Sequence, residues 1–101
     1  MIHITAKLHT SFGKSVLALA DGDLVGKKFY EGKLQLDLTG NFYNGSKLPE
    51  DEIIDLVDSV YIINCVGKLS VGLVERLGLV ESERIISVAG IPHAEIVIER
   101  S

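Results

Sequence analysis

The stretch YIINCVG at residues 61–67 decides the fold, because a short apolar run is followed at once by a helical pattern. An apolar run of this length is typical of a central strand that is buried on both faces. An apolar face then recurs at helical spacing over residues 66–77, carrying Leu69, Leu73, Val74 and Leu77, and Gly78 ends it. A further apolar segment follows at residues 85–88. Residues 60–88 therefore predict a βαβ unit whose strands run parallel, with a right-handed crossover.

Upstream of this unit the apolar residues mostly have the period of strands. Residues 2–9 alternate between apolar and polar, and residues 15–20 predict the second strand of a hairpin. Residues 33–39 alternate again and predict a third strand, with inward-facing Leu34, Leu36 and Leu38. Pro49 predicts the first position of a helix, because its missing N–H would have no helical partner there. The acidic residues 50–52 suit the positive end of that helix dipole.

Downstream of the unit, residues 94–99 predict a last strand after a turn at residues 89–92. We expect this strand and the first three to be antiparallel. Residues 1–101 therefore predict a single α+β domain. It has a mixed β-sheet with an N-terminal antiparallel part, a C-terminal βαβ unit and two main helices, mainly on one face of the sheet.

Composition excludes several classes of protein. Apolar residues make up 47% and charged residues 24% of the chain, which is a globular rather than a disordered composition. No apolar run approaches the ~20 residues of a membrane span, so no membrane partner is expected. The absence of a signal-peptide pattern, together with a single cysteine, predicts a cytoplasmic protein. Histidine and cysteine lack the spacing of metal ligands, so we expect no metal and no cofactor.

Basic and aromatic residues are concentrated in the first half of the chain. Residues 1–48 carry a net charge of +2 and residues 49–101 carry −6, and five of the six aromatic residues fall within residues 12–43. Aromatic rings stack on unpaired bases and lysines hold phosphates, so this interleaving favours single-stranded RNA, and no DNA is implied. The structural alternative is that the rings cap the core and the lysines are solvated surface. The candidate RNA contacts are Lys14, Lys27, Lys28, Phe29, Tyr30, Phe42 and Tyr43.

A second candidate site lies where the central strand meets the helix. The first N–H groups of a helix bind anions, and Asn64 either orients such a ligand or simply caps the helix. His93 follows a Gly/Pro turn, and Glu95 shares its strand face, which suits acid–base chemistry unless His93 only locks the turn. Cys65 and His93 together would suit a nucleophile and its base, and the alternative is a buried, inert cysteine.

Four segments carry a resemblance to a known family. They are GKKF at 26–29 with the following Glu31-Gly32, FYNG at 42–45, NCVG at 64–67 and GIPHAE at 90–95. Over nearly its full length the chain resembles the small archaeal proteins of domain-of-unknown-function family 424. The resemblance implies an archaeal, cytoplasmic protein with no established activity. If the family has a shared site, the resemblance implies that its residues are Asn64, Gly67, Gly90, Pro92 and His93.

Three classes of function remain open at this point. The first, which we favour, is a non-catalytic accessory protein that binds RNA or the ribosome. The second is a small-anion or small-ligand binding protein, or an enzyme, that uses residues 64–67 with His93. The third is a homodimeric interaction module. The family that the chain resembles has an aliphatic residue in place of Cys65 and usually glutamine in place of Glu95, so the resemblance weighs against a cysteine nucleophile and against a required His93–Glu95 pair, and no catalytic residue is assigned.

Overall fold

A six-stranded mixed sheet forms the centre of the protein in a computed structural model that describes residues 3–98. In chain order the strands are β1 (Ile4–Ser11), β2 (Lys14–Asp21), β3 (Lys28–Glu31), β4 (Leu34–Asp37), β5 (Ser46–Lys47), β6 (Ile62–Val66), β7 (Ile86–Val88) and β8 (Ile91–Val97). The helices are α1 (Glu50–Val57) and α2 (Lys68–Arg76). Ile2 and Glu99, which belong to predicted strands, lie outside the described residues. The α+β class is confirmed.

The strand order across the main sheet is β5-β1-β2-β6-β8-β7. The predicted β1–β2 hairpin is antiparallel, whereas β2 pairs parallel with β6. β8 lies between β6 and β7 and is antiparallel to both. The two strands of the predicted βαβ unit therefore run parallel, but they are not neighbours. The reason is that the chain re-enters the sheet after α2 as the edge strand β7. β8 then turns back and lies between β7 and β6.

The predicted third strand of this sheet is wrong in its placement. β4 pairs with β3 in a separate two-stranded sheet. Leu36 and Leu38 are buried as predicted, but Leu34 is 50% exposed because it directly follows the tight turn between the two strands.

Both helices cover the same face of the main sheet, as the sequence predicts. Ile53 and Val57 of α1 join Val71 and Val74 of α2 in one apolar cluster. The sheet supplies alternate residues to that cluster, namely Ile4, Ala6, Leu17, Leu19, Ile63, Cys65, Ala94 and Ile96. We call this side of the sheet the helix face.

The opposite side, which we call the open face, is only partly covered. The β3–β4 hairpin packs Leu36 and Leu38 over Ala20, Val66 and Val88, at one end of the sheet. Apart from the small residue Ala18, which is completely buried, most of the remainder carries half-buried or exposed side chains because neither helix lies over it.

The helix boundaries differ from the predicted ones at two points. Pro49 is the N-cap of α1 rather than its first helical residue. α2 begins only at Lys68, after a glycine with positive φ, and its buried residues are Ser70, Val71, Leu73 and Val74. Of the predicted apolar face, Leu73 and Val74 are buried, whereas Leu69 and Leu77 are exposed. No helix within residues 3–98 is long and apolar enough to cross a membrane.

Candidate functional site

A carboxylate of the protein itself occupies the N-terminus of α2. Asp21, the last residue of β2, is only 6% exposed. Its Oδ1 accepts hydrogen bonds from the N–H of Ser70 (2.9 Å) and from the Ser70 hydroxyl (2.9 Å). Its Oδ2 accepts one from the N–H of Leu69 (3.0 Å). Two of the N–H groups that were predicted to bind an anion are therefore already satisfied, by a negative charge that the helix dipole favours.

The predicted cap is consequently wrong. Asn64 does not cap α2, whose N-cap is Gly67. Parallel pairing sets Ala18 opposite Asn64, so β2 ends beside the start of α2 and Asp21 reaches its first turn. This contact joins residues 48 and 49 positions apart, so local sequence patterns give no sign of it.

Gly67 is required at this junction for two reasons. Its φ of +106° lies in a region that side-chain-bearing residues rarely adopt, and a Cβ there would overlap the carboxyl group of Asp21. Its N–H donates to the carbonyl of Pro92 (2.8 Å). The strand–helix junction and the Gly/Pro turn, which lie far apart in sequence, thus meet in the fold.

Three of the five residues implied by the family resemblance line one shallow cavity. Gly67, Gly90 and Pro92 contribute to its wall, and its volume is about 380 Å³. Asp21 and Asp23 also line it, so two carboxylates oppose an anion there even though Lys68 is beside them. The remaining implied residues, Asn64 and His93, do not line this cavity.

Asn64 and His93 instead lie on the open face, where the strand register sets side chains in rows. One row contains Lys7, Ala18, Asn64 and Glu95. The adjacent row contains His9, Val16, Ile62 and Val97. A third row, on the other side of the Asn64 row, contains Val66 and its partner His93. His93 is therefore a diagonal neighbour of Asn64, at the typical distance of about 7–8 Å. His93 and Glu95 share this face, as predicted.

The hypothesis of a Cys65–His93 pair is wrong. Cys65 points to the helix face and His93 to the open face, since they occupy adjacent rows of alternating side chains. The thiol donates to the carbonyl of Ala94 (3.5 Å), and burial raises its pKa to about 12. Cys65 is therefore a buried thiol without the thiolate character that a nucleophile needs.

Aromatic rings are held against the outer part of β1. The ring of Phe42 stacks on His9, with centroids 4.6 Å apart and planes 5° apart, and Tyr43 meets Phe42 edge-on at 4.9 Å. His9 Nε2 is hydrogen-bonded to the carbonyl of Phe42 (2.9 Å), and Lys7 Nζ donates to that of Asn41 (2.8 Å). Burial raises the pKa of the Tyr43 phenol to about 12. The loop is thus fixed, while Phe42 remains 40% exposed.

A second ring at the same end of the sheet is paired with a cation. Lys14 Nζ lies 4.7 Å from the ring centroid of Tyr61, which is itself exposed. The backbone carbonyl of Ser15 accepts a hydrogen bond from the backbone N–H of Tyr61, and His9 pairs with Val16, so both ring groups belong to one end of β1, β2 and β6. Sequence reasoning missed His9 and Tyr61 as members of this cluster, because Tyr61 was interpreted as part of a strand and His9 as a strand residue that is badly spaced for a metal.

The other predicted RNA contacts lie on the β3–β4 hairpin. Lys27 and Tyr30 are exposed, and Lys28 pairs with Asp37 (3.8 Å). Phe29 is half-buried against the smaller apolar cluster. This ring therefore caps the core, which is the alternative to RNA contact given for the aromatic residues. Within residues 3–98 there is no group of three or more side chains that could hold a metal ion.

These observations define a small α+β protein with a closed helix face and a partly open face edged by aromatic and lysine side chains. The chain belongs to the family described as "Protein of unknown function (DUF424)", which matches residues 9–98. It is also similar to a crystal structure of an uncharacterized conserved protein from Methanopyrus kandleri, an archaeon, with 25% identity and a TM-score of 0.78. That match covers 98% of this chain and 96% of the other. No curated protein matches the chain.

Proposed function

We propose that this archaeal protein is a non-catalytic RNA-binding protein that holds single-stranded RNA along its open face, in the cytoplasm and in association with translation. The observation that carries the proposal is the exposed ring of Phe42, stacked on His9 at one end of the open face. Lys14 lies at the same end, over the ring of Tyr61. Rings that stack on bases and lysines that neutralise phosphates are the usual means of binding unpaired RNA.

Pre-organisation of the Phe42 ring supports this function. Contacts with His9 and Tyr43 already restrict the ring, and the Lys7 and His9 hydrogen bonds anchor its loop. A base that stacks on such a ring costs little additional side-chain entropy. Truncation of this ring should therefore remove most of one base-stacking interaction, which is worth about 1–3 kcal/mol.

The open face also offers polar groups along the path that we propose for the RNA strand. From Lys14 to Ala20, which the β3–β4 hairpin covers, β2 extends roughly 20 Å. A strand of RNA on this path passes Asn64 and His93, whose amide and imidazole groups suit the hydrogen-bonding edges of bases, and its phosphates must stay clear of the exposed carboxylate of Glu95 in the Asn64 row. Lys27 and Lys28 lie on the hairpin at the far end.

The second class of function receives less support from the geometry. Asp21 fills the helix N-terminus that an anion would use, and Cys65 is buried away from His93. The third class, the homodimer, stays a separate hypothesis. Light scattering on the free protein would distinguish a homodimer from a monomer. The proposed RNA binding needs only the monomer.

The direct test is an anisotropy titration of a labelled, unstructured pyrimidine RNA of about 12 nucleotides at several salt concentrations. Phe42→Leu keeps an apolar side chain but removes the ring, and we expect affinity to fall about fivefold or more. Lys14→Ala should lower the slope of log K against log salt by about 0.7, the value of one phosphate contact on a single strand.

Matched controls lie on the helix side of the molecule. Lys68→Ala removes an exposed lysine, and Leu77→Ala an exposed apolar side chain, without touching the open face. Neither should change the affinity. Absence of RNA binding by the unaltered protein at low salt, or equal losses in the control variants, would contradict the proposal.

A further inference from the structure

The tip of the β1–β2 hairpin carries a phenylalanine in an unfavourable backbone conformation. Ser11 pairs with Lys14, so Phe12 and Gly13 form a two-residue turn in which both have positive φ, +53° and +75°. Such type I′ turns favour Asn-Gly or Asp-Gly, because asparagine and aspartate tolerate positive φ better than a bulky side chain does. The side chain of Phe12 is fully exposed, with a relative accessibility of 101%, so its ring stabilises nothing in the described fold.

The β7–β8 hairpin shows that this turn does not need a ring. Val88 pairs with Ile91 across Ala89 and Gly90, whose φ values are +53° and +79°. The first position there is a small residue, and its N–H donates to the Glu31 carboxylate (2.7 Å). The same geometry is therefore made with a methyl side chain, and the ring of Phe12 requires a reason outside the fold.

The surroundings of the tip indicate the chemistry of a partner. Residues 1–20 contain Lys7, Lys14 and two histidines but no carboxylate, in a chain whose net charge is −4. β5 pairs only with Thr5 and Ala6, so within residues 3–98 no strand pairs with the outer edge of β1 from residue 8 to the tip. The partner that fits an exposed ring beside Lys14, on a hairpin that has no carboxylate before Asp21, is an anion with flat apolar faces. An acidic peptide supplies the charge without the stacking faces.

We infer that Phe12 is a second base-stacking residue, which binds an unpaired base of the same RNA strand beyond the Phe42 ring. This inference rests on the proposed function. Lys14 adjoins the turn, and His9, which carries the stacked Phe42, lies two residues before Ser11. The tip, the Lys14–Tyr61 pair and the Phe42–His9 stack thus form one continuous end of the molecule.

A single substitution separates this role from a structural one. Phe12→Asn creates the Asn-Gly pair that the turn favours, so we expect the melting temperature to rise by about 2–5 °C. In the same anisotropy titration its RNA affinity should fall about fivefold or more. A gain in stability together with a loss of RNA affinity would show that the Phe12 ring contributes to RNA binding and not to folding.

Two further variants keep the test decisive. Phe12→Trp retains a stacking ring and should keep the affinity, whereas Phe12→Leu retains apolar character alone and should lose it. If Phe12→Asn or Phe12→Leu binds RNA as tightly as the unaltered protein while Phe42→Leu does not, the inference is wrong and the proposed function stands. If the unaltered protein does not bind RNA, both are overturned.

Discussion

The two faces of the main sheet are built from the same strands, yet they differ in how deeply their side chains are buried. On the helix face Leu17, Leu19 and Ile63 are completely buried beneath α1 and α2. On the open face their neighbours Val16 and Ile62 are half-buried, and Val97 is 58% exposed. Alternation along a strand assigns each side chain to a face, but only coverage by another element buries it. Stability therefore resides mainly in the helix face, and the open face is the more accessible of the two.

The largest expected effect comes from a pair of adjacent isoleucines. Ile63→Ala leaves a cavity in the helix-face core, and we expect it to lower the free energy of unfolding by about 3–4 kcal/mol. Ile62→Ala, one residue earlier and on the open face, should cost about 1 kcal/mol. Urea unfolding of both variants measures the difference. Equal losses would show that the two faces contribute alike.

An intermediate effect is expected at the helix start, where the helix face is closed by a polar contact. Asp21→Ala removes an acceptor of three hydrogen bonds and leaves buried donors at α2, so we expect a loss of about 2–3 kcal/mol. Asp23→Ala, at an exposed position nearby, should change stability by less than about 0.5 kcal/mol. Thermal or urea unfolding provides the measurement, and a harmless Asp21→Ala would refute the capping role.

The smallest effect near neutral pH is one that appears only in alkali, where each face contributes one titrating group to a loss of stability. Burial raises the pKa of Cys65 on the helix face and of Tyr43 on the open face, each to about 12 from ordinary values of 9.0 and 10.0. Both groups are neutral when protonated, so the stability they confer is complete below the ordinary pKa and is lost as pH rises towards 12. We expect the free energy of unfolding to decline from about pH 9 upwards.

Two variants assign that decline to the two faces. Cys65→Ala should remove the part that begins near pH 9, and Tyr43→Phe the part that begins near pH 10. Urea unfolding at a series of pH values gives the curves. A decline unchanged in both variants would place its origin in other groups.

Local patterns were informative wherever a single element decides the outcome. The hairpin of β1 and β2, the central strand β6 and the acidic first turn of α1 follow from periodicity and from the helix dipole. The boundaries of α2 and its cap did not follow. Asn64 is a good cap by type, but the structure uses Asp21, which parallel pairing of β2 and β6 brings to the helix.

The sequence by itself determined the α+β class, the placement of both helices on one face and the family to which the chain belongs. Only the tertiary structure decided which candidates share a surface. It groups Gly67, Gly90 and Pro92 at one cavity and sets Asn64 and His93 on the open face. The physical reason is that periodicity depends on neighbours along the chain, whereas a site depends on strand order and register. Those follow from long-range packing, which no local pattern in a single sequence encodes.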